Sequence, residues 1–225
     1  MRFSTTITVS VLLCAFSSTS LAKDIIVKNN CGTTVDVDSL TNGQGPVGVD
    51  GLGPGQSKTY SFPTGWAGRF WGRENCNSYG CPPESAANPG SLAEFKFDGY
   101  GGNDFYDVSF VDGWNLPISI SPNGGQSDGN KYRCGSPTCS QLPDCPSGFA
   151  VYNNGAYVGC QSACSHFNAP QYCCTGSNNT PQTCGPSQYS QQVKNKCPDV
   201  YSYAFDDPTS TYTCNTQSYT VTFCP

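Results

Sequence analysis

Positive charge and histidine are scarce in this chain. Its 225 residues include 11 Lys and Arg against 16 Asp and Glu, and His166 is the sole histidine. Nucleic acids and anionic membrane surfaces are held through clusters of Lys and Arg, so neither is an expected partner. A neutral polymer is compatible with the balance. A Ser-His-Asp centre needs an imidazole beside its nucleophile. The one available sits in a cysteine-dense Cys-Ser-His-Phe segment and reads as a structural or surface residue. No glycine-rich phosphate loop opens a helix, which removes nucleotide chemistry. There is no internal repeat, no low-complexity segment beyond glycine-rich loops, and no apolar run long enough to span a bilayer.

The N-terminus carries Arg2, an apolar run from Thr6 to Phe16 and then Ser20-Leu21-Ala22. That order reads as a secretory signal peptide over residues 1–22, cut after Ala22, with the mature protein secreted to the extracellular space or the cell wall. Loss of Arg2 moves the net charge from -5 to about -6. Of 15 cysteines, Cys14 leaves with the leader, and the even set that remains is a disulfide framework in a secreted chain. Spacing does not give its connectivity. Zinc binding through Cys160-x3-Cys164 or Cys173-Cys174 is disfavoured, because oxidised cysteines do not ligate and His166 is the only imidazole. No metal and no cofactor is expected.

Short β-rich runs come first: Asp24 to Lys28, Thr33 to Val37 and Lys58 to Phe62, with a glycine-rich loop from Asn42 to Gly55. Gly65 to Arg73 alternates and places Arg69, Trp71 and Arg73 on one face. A guanidinium beside an indole there suits a carboxylate or sugar clamp, or equally a snorkelling surface pair. Glu74 to Gly90 has loop composition. Pro186 at a first-turn position and Tyr189, Val193 and Cys197 at spacing four predict a helix over Ser187 to Lys196. Ser218 to Phe223 is a last strand. Asn178-Asn179-Thr180 is a glycosylation sequon, which argues for an exposed loop around Asn178.

The longest β-like stretch, Leu92 to Pro122, carries the carboxylates. Glu94, Lys96 and Asp98 alternate with Phe95 and Phe97, and Asp107 shares a strand face with Phe105 and Ser109. Asp112 has the opposite parity, so it can join Asp107 only if the strand ends near Asp112-Gly113, a turn signal. Taken alone, the stretch describes a solvated sheet face, the common state of Asp and Glu. Glycoside hydrolysis needs two carboxyl groups, one protonated and one ionised. Glu94, flanked by Leu92, Ala93 and Phe95, suits the acid, since apolar surroundings disfavour its charge. Asp112, beside a glycine turn, has room for a water or a sugar.

Several motifs together identify a family. They are Asn30-Cys31, the run from Gly68 to Arg73, Leu92-Ala93-Glu94-Phe95, the run from Val111 to Asn115, Gln171-Tyr172-Cys173-Cys174, Cys184-Gly185-Pro186, Cys197-Pro198-Asp199 with Tyr201-Ser202-Tyr203, the run from Asp206 to Thr211 and the terminal Val221 to Pro225. Over essentially the whole mature chain these resemble thaumatin-like proteins. The resemblance implies a mainly β fold: a thaumatin-like β-sandwich body (about 23–73, 92–138 and 198–225), a disulfide-rich lobe containing short helices (about 139–197), and a small hairpin region (about 74–91). That last region is trimmed here. Cys76 to Leu92 is short and holds one cysteine pair, an arrangement similar to fungal members of the family.

The resemblance further implies an acidic cleft between body and lobe, with Glu94 and Asp112 as catalytic groups and Arg69, Asp107 and Asp206 as substrate-binding groups. Asp206 has a carboxylate neighbour in Asp207. The implied bridges are Cys31–Cys224, Cys76–Cys81, Cys134–Cys214, Cys139–Cys197, Cys145–Cys160, Cys164–Cys173 and Cys174–Cys184. The implied function is a monomeric endo-β-1,3-glucanase acting on wall glucan, or alternatively a non-catalytic glucan-binding or antifungal defence protein. An inhibitory or taste-active role is a third reading, and the acidic balance disfavours taste activity.

Overall fold

The computed structural model describes residues 22–74 and 89–225. The leader up to Leu21, the Cys76–Cys81 pair and most of the trimmed hairpin region lie outside the described residues.

Two antiparallel-rich sheets pack face to face. The first has five strands in the order β4 (Ser57–Phe62), β1 (Lys23–Asn29), β13 (Ser218–Phe223), β8 (Ile118–Pro122) and β9 (Thr138–Cys139). Its centre is a parallel pairing of the two terminal strands, from Asp24 opposite Ser218 to Asn29 opposite Phe223. Cys31–Cys224 closes that pair at its end. The second sheet has six strands in the order β12 (Tyr212–Cys214), β7 (Asp104–Ser109), β6 (Leu92–Lys96), β5 (Ala67–Arg73), β2 (Val35–Thr41) and β3 (Pro46–Leu52).

Alternation sorts the residues of both sheets. Ile25, Val27, Tyr219, Val221 and Phe223 of the first meet Val35, Val37, Phe70, Phe95, Tyr106 and Val108 of the second in one core. Each large side chain sealed there contributes about 1.5–3 kcal/mol. Gly72 marks the closest approach: a Cβ at that position would lie 2.6 Å from Val35 Cγ1 and 3.0 Å from the Phe223 ring. The opposite face of the second sheet, bearing Arg69, Glu94 and Asp107, is left for the site.

One expectation is corrected. The glycine-rich span from Asn42 to Gly55 contains a strand, β3, paired with β2 across a register shift between Val37 and Asp38. Its ladder to β2 supplies what composition withholds, and Pro46 sits at the start of this edge strand, where its missing N–H does least harm.

The second half of the chain adds a two-stranded hairpin, β10 (Ala150–Asn153) with β11 (Ala156–Cys160), and the helices α1 (Ala163–Phe167), α2 (Pro170–Cys173) and α3 (Gln188–Lys196). Ser162 and Ser187 cap α1 and α3 by accepting from the Ser165 and Ser190 amides. Pro186 therefore stands just ahead of the cap rather than in the first turn. Val193 of α3 and Cys197 just past its end are buried and Tyr189 is half-buried, as spacing four requires. The bridges Cys134–Cys214, Cys139–Cys197, Cys145–Cys160, Cys164–Cys173 and Cys174–Cys184 are formed. His166 stacks on Phe149 with ring centroids 3.9 Å apart, a packing role. Among the described residues no helix is long and apolar enough to cross a membrane.

Candidate functional site

Register builds the site. Arg69 on β5 lies directly opposite Glu94 on β6, and Glu94 lies directly opposite Asp107 on β7. Directly opposed residues share a sheet face, so one cation and two carboxyls form a row across three strands. Leu92 and Ser109 form the next opposed pair, and Trp71 packs with Leu92 and Leu40 as a separate apolar cluster on this same face. Trp71 is fully buried, directly opposite Asp38 on β2.

Asp112 joins the row because β7 ends at Ser109. The chain turns there, with the Gly113 amide donating to the Phe110 carbonyl at 3.0 Å. Gly113 takes φ +101°, and a Cβ would come 2.4 Å from the Cys160 carbonyl, so this corner requires glycine. Three tethers hold the turn. Trp114 and Cys160 exchange backbone hydrogen bonds, Asn115 Nδ2 donates to the Gly72 carbonyl at 2.8 Å, and Asn115 Oδ1 accepts from the Ser91 amide at 3.0 Å. The parity obstacle between Asp107 and Asp112 is removed by the turn.

The result is a hollow of about 340 Å³ lined by Arg69, Leu92, Glu94, Asp107, Ser109, Val111, Asp112, Tyr201 and Ala204. Arg69 Nη1 stands 3.7 Å from Glu94 Oε1 and 3.7 Å from Asp112 Oδ2. The two carboxylate oxygens are therefore at most twice that distance apart, not too far for a carboxyl pair that flanks a glycosidic bond. Burial pushes the Glu94 carboxyl up, against the pull of Arg69 and a Ser109 hydrogen bond, and the Asp112 charge pushes it further. Asp112 is raised by burial and drawn down by Arg69. Asp107 rises well above the carboxylate range through burial and the charges of Glu94 and Asp207. Beside the hollow, a second cavity of about 30 Å³ shares Val111 and is walled by Phe110, Trp114, Phe149 and Tyr189. Its size suits a water rather than a sugar ring.

The placement of Asp206 is a correction. Its buried carboxylate does not line the hollow: it accepts from the Ser202 amide at 3.0 Å, the Ser202 hydroxyl at 2.8 Å and the Thr209 hydroxyl at 2.6 Å, and Lys194 Nζ lies 3.2 Å away. Asp206 immediately precedes the four-residue helix α4 (Asp207–Ser210), and these local donors take its oxygens. The hollow's wall on that side is Tyr201. Its hydroxyl hydrogen-bonds Asp207 Oδ1 at 3.1 Å, and its backbone bridges β7 through Val108 and Phe110. Sequence reading did not single out Tyr201. The one signal available was its place in the Tyr201-Ser202-Tyr203 motif.

Asn178 is half-buried and its Nδ2, the atom a glycan would join, donates to the Thr183 carbonyl at 2.7 Å. No group of three or more His, Cys, Asp or Glu side chains suited to a metal occurs among the described residues.

Comparison with known proteins gives a consistent picture. A family model described as "Thaumatin family" matches residues 29–225. "Pathogenesis-related protein 5" of Arabidopsis thaliana is 44% identical over 222 residues, covering 91% of each chain. "Glucan endo-1,3-beta-glucosidase" of Prunus avium is 40% identical over 228 residues, again 91% of each. Among solved structures, the thaumatin-like xylanase inhibitor TLXI aligns over 89% of this chain and 99% of its own at 16% identity and a TM-score of 0.44, too distant to bear on function.

Proposed function

The chain belongs to the thaumatin family, and from that membership and the geometry of the hollow we propose that it is a secreted protein that binds cell-wall β-1,3-glucan and hydrolyses it as an endo-β-1,3-glucanase. The observation that carries this reading is the convergence of Glu94 and Asp112 on Arg69, each 3.7 Å from Nη1, at an open hollow. The name of the Prunus avium relative supports the substrate class.

In this reading Glu94 is the general acid. Its raised pKa keeps the proton available where the leaving oxygen arrives. Asp112, which Arg69 draws down against its burial, acts as base or nucleophile on the opposite side of the glycosidic bond. Arg69 orients both groups. Asp107 stands opposite Glu94 across the ladder, and the Tyr201 hydroxyl contributes the far wall. Asp206 is left out of the substrate contacts, because all its neighbours are internal.

The test is release of reducing ends from a linear β-1,3-glucan, with Glu94→Gln as the control. Release by the wild type and its loss in the variant supports hydrolysis. Retention on insoluble glucan by both forms, with release by neither, replaces it with the alternative of a non-catalytic glucan-binding or defence protein.

A further inference from the structure

Asp107 stands apart from the other carboxyls of the hollow. Its Oδ1 is sealed from solvent and has no hydrogen-bond partner. Directly opposite it across the β6–β7 ladder is a second carboxyl, Glu94. Every charged or titratable group facing it matters here. Arg69 on β5 is beyond Glu94 and is shared between Glu94 and Asp112. From the segment after α3 come the Tyr201 hydroxyl and the Asp207 carboxylate that Tyr201 contacts. No cation among these reaches Asp107. Like charges directly opposed on a sheet destabilise it, and a sealed carboxylate oxygen without a donor is costly. One proton shared between Asp107 and Glu94 relieves both conflicts at once.

We propose that Asp107 and Glu94 form a proton-sharing pair in which Asp107 is the resting site of the proton and Glu94 the arm that delivers it. This rests on the hydrolase reading above for its consequence, though not for its existence. Asp107 is then a positioning residue acting through Glu94. In a turnover the shared proton moves from Asp107 to Glu94 and on to the glycosidic oxygen as the carbon–oxygen bond breaks. Water adds to the anomeric carbon and gives its proton to Asp112, from which solvent returns one proton to the pair. One water is consumed and two hydroxyl ends appear. Burial displaces both pair members upward, which favours a retained proton.

The experiment has two arms. Carbon-13 NMR of the side-chain carboxyls, titrated in the wild-type protein without substrate, reads the pair directly. The Asp107 Cγ is expected to keep its protonated shift at pH well above the ordinary value near 3.9, with Glu94 titrating first. Ionisation of Asp107 near that ordinary value overturns the proposal, whether or not the protein cleaves glucan. The second arm is the pH profile of Asp107→Asn. Its amide donates to the Glu94 carboxylate, so the alkaline limb of kcat/KM is expected to move to lower pH by about 1 unit or more, with KM little changed. A uniform drop in kcat with the limb unmoved marks a merely structural residue and also overturns it. If the variant does not fold, the wild-type titration decides alone. Absence of glucan cleavage by the wild type counts against the hydrolase reading and leaves the NMR arm to judge the pair.

Discussion

Asp206 and Asp207 are consecutive, yet their carboxylates serve different parts of the molecule. Asp206 is buried among Ser202, Thr209 and Lys194, while Asp207 is exposed and hydrogen-bonded by Tyr201 at the edge of the hollow. Lys194 completes a latch, since its ammonium also donates to the Val200 carbonyl at 2.9 Å and the Ser210 hydroxyl at 2.6 Å. The latch ties α3 to the segment that presents Tyr201. Asp206→Ala is therefore expected to act on stability. It leaves a half-buried ammonium without its counter-charge, a loss of roughly 2–4 kcal/mol, at the lower end for a paired buried charge because Lys194 retains some exposure. Denaturant unfolding with bridges intact measures it. Glucan affinity that collapses while the unfolding midpoint stays fixed would put Asp206 back among the substrate contacts.

Much of this site was legible because strands impose parity. Glu94 and Asp107 alternate with buried aromatics, so each could be assigned a face of its own strand, while their meeting followed only from the family resemblance, and Asp112 was tied in advance to a strand end at an Asp-Gly turn. Arg69 was placed on the right face together with Trp71, but sequence cannot tell that Trp71 is sealed there against Leu92 and Leu40 rather than open to a ligand. The choice between Asp206 and Asp207 was out of reach: adjacent residues at a helix start differ by a rotation that local donors decide. Strand β3 was missed for a related reason. Its hydrogen bonds to β2 come from tertiary pairing, and glycine-rich composition conceals them.

Arg69→Met tests the shared cation. Removing the guanidinium leaves Glu94 and Asp112 in the same buried surroundings without the charge that lowers both. Their pKa values then rise, by about 1 unit or more for an opposite charge at this range. Under the hydrolase reading the acidic limb of kcat/KM, set by ionisation of Asp112, moves up in pH by that amount. A profile unchanged in shape would show that Arg69 does not govern these carboxyls.

Asp38 gives a separate pH signature. It lies opposite Trp71 on β2, is buried, and has Arg73 Nε 3.8 Å away. Burial outweighs Arg73, and with Asp36 nearby the carboxyl is pushed up to about 6. Because the folded pKa is above the unfolded value, protonation favours the fold. Stability is thus highest below about pH 4, falls as pH rises towards 6, and is flat above that window, a change on the order of 1–3 kcal/mol. Asp38→Asn should flatten this slope, read as chemical denaturation between pH 4 and 7. An identical slope in the variant would remove Asp38 as its source.

The last prediction concerns the ion pair that joins the two sheets. Lys23 on β1 is 3% exposed, and its ammonium lies 2.7 Å from Asp104 Oδ1 on β7. Asp104 is fully buried and also accepts from the Tyr219 hydroxyl at 2.7 Å and the Asp98 amide at 2.9 Å. Every lone pair and proton is thereby used, the condition under which a buried pair is tolerated. Asp104→Ala breaks it one-sidedly: Lys23 keeps only the part-exposed Asp98 carboxylate at 3.4 Å, and the Tyr219 hydroxyl loses its acceptor. The expected cost is about 3–5 kcal/mol. The double variant Lys23→Met, Asp104→Leu removes both charges and should recover a large part of that loss, since no uncompensated ion remains. Unfolding midpoints of Lys23→Met, Asp104→Leu and their double variant give the coupling. If the double variant is as unstable as the sum of the singles, the charges are not paired in solution, and the sheets are held at this point by packing around Phe97 and Tyr219 instead.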